Sequence, residues 1–255
     1  MTPSHRLEEP CPRGRWKHGT MPVIGLIGGI GSGKSRVASL LAARGAAVIN
    51  ADAVGHELLG EPEIRATIVE RFGTSVLEEA RENGALIPRI DRRALATIVF
   101  ADPTARHALE AILHPAMRAG FLATIDRLSR GGESTLIVLD AAILLEAGWD
   151  DLCDQVVFVE APRRDRLRRV AESRGWSEAV FEARERAQWP PDAKHRRADV
   201  IVTNDSGPDR LEEEVDRLVC RLLELPRREP RASPTTDSIP ARTALDAHLP
   251  VGGMS

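Results

Sequence analysis

The sequence predicts an α/β fold with a five-stranded parallel sheet at its centre. Three observations lead there. Five short apolar runs, at residues 23–27, 46–52, 135–140, 155–160 and 198–203, are separated by stretches with helical spacing of apolar residues. A glycine-rich loop joins the first run to the helix that follows it. A long helical block at residues 61–130 parts the second run from the third.

At 255 residues the chain has room for one sizeable domain with an insert. A hydrophobic fraction of 42% and a charged fraction of 29% are ordinary for a soluble globular protein. No run approaches the roughly 18 apolar residues that a membrane span needs. Arg6, Glu8, Glu9 and Arg13 interrupt the N-terminus where a signal peptide would be apolar, so a cytoplasmic location is expected. A net charge of −3 gives no general case for a nucleic-acid partner. Cys11, Cys153 and Cys220 are widely separated and odd in number, which suits neither a disulfide framework nor a zinc site.

In chain order, residues 1–20 mix prolines and charges without period and are expected to be a disordered extension. The ordered pattern begins at Met21, a candidate translation start, and one domain is expected over residues 21–225. After the first run comes Gly28-Gly29-Ile30-Gly31-Ser32-Gly33-Lys34-Ser35, which has the spacing G-x-x-x-x-G-K-[ST] of a phosphate-binding loop. Gly29, Ile30, Gly31, Ser32, Gly33, Lys34, Ser35 and Arg36 are the expected contacts to the phosphates of a nucleoside triphosphate, ATP for a kinase. The glycines let the backbone wrap phosphate oxygens, and the helix that follows aims its first amides at them. Lys34 adds a point charge, and the Ser35 hydroxyl is placed to ligate Mg²⁺.

The second run ends in Asp52, and ligands of parallel α/β sheets bind beyond the carboxyl ends of strands. The competing reading is a helix N-cap for the segment starting near Val54. In the block at residues 61–130, Ile64, Ile68 and Phe72 share one face, and Leu95, Ile98 and Val99 another. A long helix over residues 106–128 buries Leu109, Ile112 and Leu113, with His114-Pro115 expected to interrupt it. Such a block has the look of a substrate-binding insertion. The third run also ends in an acid, Asp140, either set behind the Mg²⁺ or serving as a turn residue.

Pro162 then opens a helix dense with Arg163, Arg164, Arg166, Arg168, Arg169 and Arg174. It is either a solvated face or a lid, over residues 162–197, whose arginines close on transferring phosphate. After the fifth run, Asn204-Asp205-Ser206-Gly207 turns the chain into a last helix with Leu211, Val215, Leu218 and Leu222 as its stripe. Residues 226–255 read as a disordered tail.

The ordered set of motifs goes further than the loop. It comprises the loop, Val48-Ile49-Asn50-Ala51-Asp52, Asp91-Arg92 with Leu95 and Phe100, Leu113-His114-Pro115, and Leu144-Leu145-Glu146. The lid around Leu167 and Arg169, Gln188 with Lys194, and Ala198-Asp199-Val200-Ile201 with Asn204 complete it. Over residues 22–225 the chain resembles the dephospho-CoA kinase family.

That resemblance implies a P-loop kinase core with a helical substrate-binding insertion and an arginine-rich lid. It implies transfer of the ATP γ-phosphoryl group to the 3′-hydroxyl of dephospho-CoA, with Mg²⁺. Asp52 matches the carboxylate that orients the acceptor hydroxyl and takes its proton. Arg169 matches a lid arginine that neutralises charge in the transition state, assisted by Lys194. His114, Leu144 and Glu146 fall where the family contacts the acceptor. The sequence departs from the family at Asn50, where an acid is usual, at Ile27 and Arg36, where threonine is, and at Ala142, where proline is.

The alternatives are another small-molecule kinase on the same fold, such as a nucleoside monophosphate or shikimate-type enzyme, a GTPase-like switch, and a silent ATP-binding module. A switch needs a guanine-reading Asn-Lys-x-Asp, and Thr203-Asn204-Asp205-Ser206 is not one. Lys34 and Asp52 together stand against a silent module. Lys34→Ala is expected to abolish phosphoryl transfer, and wild-type ADP production by that variant in a coupled assay would overturn the loop assignment.

Overall fold

The five apolar runs form one parallel sheet in this computed structural model, which describes residues 16–19, 21–82 and 85–224. The strands are β1 (Val23–Gly28), β2 (Ala46–Asn50), β5 (Leu136–Asp140), β6 (Gln155–Glu160) and β7 (Val200–Thr203), in the order β2-β5-β1-β6-β7. β1 is central, with Val23 opposite Ile137 on one side and Ile24 opposite Gln155 on the other. The strand pleat sorts the side chains onto two cores. Val23, Ile27, Ile137, Leu139, Val156 and Phe158 face one way, and Ile24, Leu26, Leu136, Val138, Val157 and Val159 the other.

The second face is covered by α1 (Lys34–Ala42) and α9 (Pro208–Glu224), whose Leu211, Val215, Leu218 and Leu222 are buried as their spacing predicts. The first face is covered by α2 (Ala51–Leu58), by α5 (Pro103–Gly131) and by the segment around Trp149. Close packing here leaves no room at Gly25. A Cβ there would stand 2.8 Å from Leu144 and 2.9 Å from the Cys153 sulfur.

Between β2 and β5 the chain builds α3 (Pro62–Phe72), α4 (Arg92–Ala101) and α5, as the helical block predicts. It also builds a hairpin the block did not predict, β3 (Leu77–Glu82) paired antiparallel with β4 (Ala85–Ile90). Ile68, Val76, Ile90 and Leu95 form a small core that is separate from the sheet. Pro115 does not interrupt α5, which runs unbroken for 29 residues. Proline lacks only its own N–H, so it removes one rung, to the carbonyl of Ala111, and the packed faces on either side hold the rest.

Part of the expected disordered extension, residues 16–19, is ordered. Residues 16–19 form a strap with Trp16 buried, in which the Lys17 N–H donates to Asp154 Oδ1 at 2.9 Å. Lys17 Nζ reaches the carbonyls of Asp151 and Cys153, and the other Asp154 oxygen accepts from the Val23 N–H at 2.7 Å. The remainder of that extension, the tail at residues 226–255 and Cys11 lie outside the described residues. Cys153 is buried, which pushes its thiol pKa up, and Cys220 is exposed.

Trp149 is held edge-on between Phe121, at 5.0 Å, and His114, at 5.1 Å. Burial there lowers the His114 pKa, against a smaller opposing pull from Glu110. The unfolded chain therefore takes up a proton at a pH where the folded chain does not. Stability falls as pH drops from about 6.5 towards the lower folded value. His114→Phe is expected to flatten that fall, read as the shift in urea midpoint between about pH 7 and about pH 5. An unchanged shift would show that His114 is not its source.

Candidate active site

The loop between β1 and α1 is shaped by two glycines in the left-handed region. Gly31 has φ 75° and Gly33 has φ 92°. Space forbids a side chain at either, since a Cβ on Gly31 would lie 2.5 Å from the Arg166 carbonyl and one on Gly33 2.2 Å from Asn204 Nδ2. Gly33 caps α1 without a side chain, and its carbonyl accepts from Arg36 and Val37 N–H at 2.9 and 3.1 Å. The Lys34 and Ser35 N–H groups come before the first of these bonds and have no partner within the helix, which makes this turn an anion site.

Lys34 forms an ion pair with Asp140, the last residue of the adjacent strand β5. Asp140 is buried, and a buried carboxylate needs such a partner. Ser35 is exposed at the start of α1, and the Arg36 side chain turns away towards Glu212 of α9, at 3.4 Å. The Ser32 hydroxyl is buried with no hydrogen-bond partner.

The segment expected to form a lid, residues 162–197, consists of α6 (Arg163–Arg174), α7 (Glu178–Arg186) and α8 (Pro191–Arg197). Its arginines divide by helical phase. Arg166 and Arg169, three apart, face the loop. Arg166 Nη1 donates to the Ile30 carbonyl at 3.3 Å and to Glu185 Oε1 at 2.5 Å. Arg169 Nη1 donates to the Gly31 and Ser32 carbonyls at 3.3 and 3.1 Å, and its Nη2 to the Asn204 carbonyl at 3.0 Å. Arg163 instead pairs with Glu178 and Glu182, and Arg168 with Asp165 and Glu172, on the solvated face. Arg184 lies over the Trp176 ring at 4.4 Å and the exposed Phe100 ring of α4 at 5.7 Å, so the lid touches the insertion.

On the acceptor side, Asp52 is not the end of a strand. β2 stops at Asn50, whose Oδ1 accepts from the Ala53 N–H at 2.9 Å and so caps α2. Asp52 is exposed in the first turn of that helix, where the macrodipole favours a carboxylate. His114 packs against Trp149 and is half-buried.

Two of the expected acceptor contacts, Leu144 and Glu146, face the interior. Leu144 is fully buried against Gly25 and Cys153, with no surface to offer a ligand. Glu146 turns its carboxylate into the protein, where Oε1 accepts from the Trp189 N–H at 2.9 Å and pairs with Lys194 at 3.0 Å. Lys194 is itself 1% exposed. The Asn204 side chain is a site feature that sequence reasoning left without a role. Its Nδ2 donates to the Ser32 carbonyl at 2.7 Å from the far end of β7. Its advance signals are its place just past the fifth apolar run and its membership of the motif set that carries the family resemblance.

Residues 22–209 match the family CoaE: Dephospho-CoA kinase. A dephospho-CoA kinase of Anaeromyxobacter dehalogenans is 44% identical over 79% of this chain and 92% of its own. One from Symbiobacterium thermophilum is 43% identical over 77% of this chain and 79% of its own. Among solved structures, TT1252 from Thermus thermophilus superposes with a TM-score of 0.67 at 35% identity, covering 80% of this chain and 98% of that one. Dephospho-CoA kinase from Campylobacter jejuni shares the fold, with a TM-score of 0.59 at 23% identity over 78% of this chain and 96% of its own. With loop, insertion and lid inside one continuous match, the chain belongs to the dephospho-CoA kinase family.

Proposed function

We propose that this protein transfers the γ-phosphoryl group of ATP to the 3′-hydroxyl of dephospho-CoA, giving CoA and ADP. The observation that carries this reading is the family match, which runs unbroken from the phosphate loop through the insertion to the lid. The geometry supports the chemistry. Phosphoryl transfer asks the protein mainly for positioning and charge neutralisation.

The turn at residues 29–36 holds the β- and γ-phosphates through backbone N–H groups, and Lys34 supplies the charge beside them. The acceptor oxygen forms a bond to γ-phosphorus as the bond to the β-γ bridging oxygen breaks and ADP leaves. Asp52, exposed in the first turn of α2, orients the hydroxyl and takes its proton as the new bond forms. Arg169, fixed against the loop by three carbonyls, contributes positive charge at the edge of the site. His114 is retained as an acceptor-side contact from α5.

The donors at the loop suit Mg²⁺, a hard cation that prefers oxygen. They are the exposed Ser35 hydroxyl at the start of α1 and the Asp140 carboxylate at the end of β5. When bound, the ion neutralises charge on the phosphate oxygens. No described helix is long and apolar enough to cross a membrane, and a cytoplasmic location is kept as part of the proposal.

The test is to supply ATP and Mg²⁺ with dephospho-CoA, UMP, CMP or shikimate separately and follow phosphate into each acceptor. Transfer to dephospho-CoA alone is expected, and preferential labelling of another acceptor overturns the assignment. Asp52→Asn is expected to leave ATP affinity nearly intact and to lower turnover by a factor on the order of 10². Full turnover in that variant removes Asp52 from the mechanism.

A further inference from the structure

Lys194 is buried to 1% exposure, yet its ammonium finds an acceptor for each of its three hydrogens. These are the Ala142 carbonyl at 2.9 Å, Gln188 Oε1 at 3.2 Å and Glu146 Oε1 at 3.0 Å. Two of the acceptors lie in the segment after β5. The third, Gln188, lies with Lys194 in the lid. The Trp189 N–H also donates to Glu146 Oε1, so three contacts join the base of the lid to that segment.

A buried ion pair is weak evidence for stability, because apolar residues of similar size commonly do as well or better. Its position suggests another use. Ala142 is two residues past Asp140, the carboxylate that pairs with Lys34. Burial lowers the Lys194 pKa, Glu146 opposes that, and the charge of Lys34 adds to the lowering, so the two ammonium groups are near neighbours. Glu146 Oε2 is buried without a hydrogen-bond partner, which leaves the carboxylate dependent on its other oxygen for anchorage.

We propose that Lys194 is a positioning residue for phosphoryl transfer, locking the base of the lid to the segment after β5 and so fixing the Asp140 carboxylate against Lys34. It touches no substrate and acts through the backbone at Ala142.

The test compares Lys194→Met with the double variant Lys194→Met/Glu146→Leu. The single change strands a buried carboxylate and is expected to lower the melting temperature. The double change leaves neither charge behind. With the double variant melting close to wild type, kcat is expected to fall at least about tenfold while the ATP Kd and the acceptor KM stay within about threefold. Hydrogen exchange should quicken together at residues 141–146 and 189–195 and stay slow in the central strands. Recovery of wild-type kcat along with stability would reduce Lys194 to a structural role. A raised acceptor KM with unchanged kcat would instead make Glu146 a substrate contact; either result overturns the proposal. Gln188→Leu removes one acceptor at a partly exposed position and covers the case in which the double variant does not fold. It is expected to lower kcat about threefold without changing the melting temperature, and an unchanged kcat overturns the proposal as well.

Discussion

A loop that turns its N–H groups inward to meet phosphate turns its carbonyls outward, and outward carbonyls also need partners. Much of the architecture around this loop answers that requirement. The carbonyls of Ile30, Gly31 and Ser32 accept from Arg166, Arg169 and Asn204, two of which stand on the lid helix and one past the last strand. The same neighbours fill the space beside Gly31 and Gly33, so a side chain at Gly31 meets the Arg166 backbone and one at Gly33 meets the Asn204 amide that bonds the Ser32 carbonyl. The lid helix is thereby anchored at its root, and its remaining arginines are free to form the solvated face.

The loop itself was fully legible, because its chemistry needs contiguous residues at fixed spacing. So were the five strands, whose apolar runs survive burial on both faces. What distant elements bring to the loop was not. The order β2-β5-β1-β6-β7 places Asp140 beside Lys34, and no local pattern encodes which strands become neighbours. The division of the six arginines in α6 likewise depends on how the helix is rotated against the loop. The hairpin was missed because Leu77-Glu78-Glu79-Ala80-Arg81-Glu82 favours a helix by propensity. The hairpin cue in the sequence was Asn83-Gly84 between two candidate strands. The strap at residues 16–19 is too short to show any period.

The departures from the family pattern find physical accounts at three of four positions. Asn50 caps α2, a task that asparagine and aspartate perform about equally well. Ile27 is fully buried in the sheet core, where its side chain packs without needing a polar partner. Arg36 is exposed and pairs with Glu212, so its side chain leaves the loop amides unobstructed. At Ala142 only the carbonyl is used, and nothing in the structure explains the missing proline ring.

The unbroken helix α5 serves two cores in turn. Leu109 and Ile112 belong to the small core of the insertion, Met117, Phe121 and Ile125 to the sheet, and Leu113 packs against both. Pro115 falls just past that crossover, so the one missing rung lies where the helix passes from one core to the other. A helix short of a rung bends more easily there than elsewhere. The insertion is therefore joined to the sheet through a helix whose least restrained turn lies at Pro115, between the two cores.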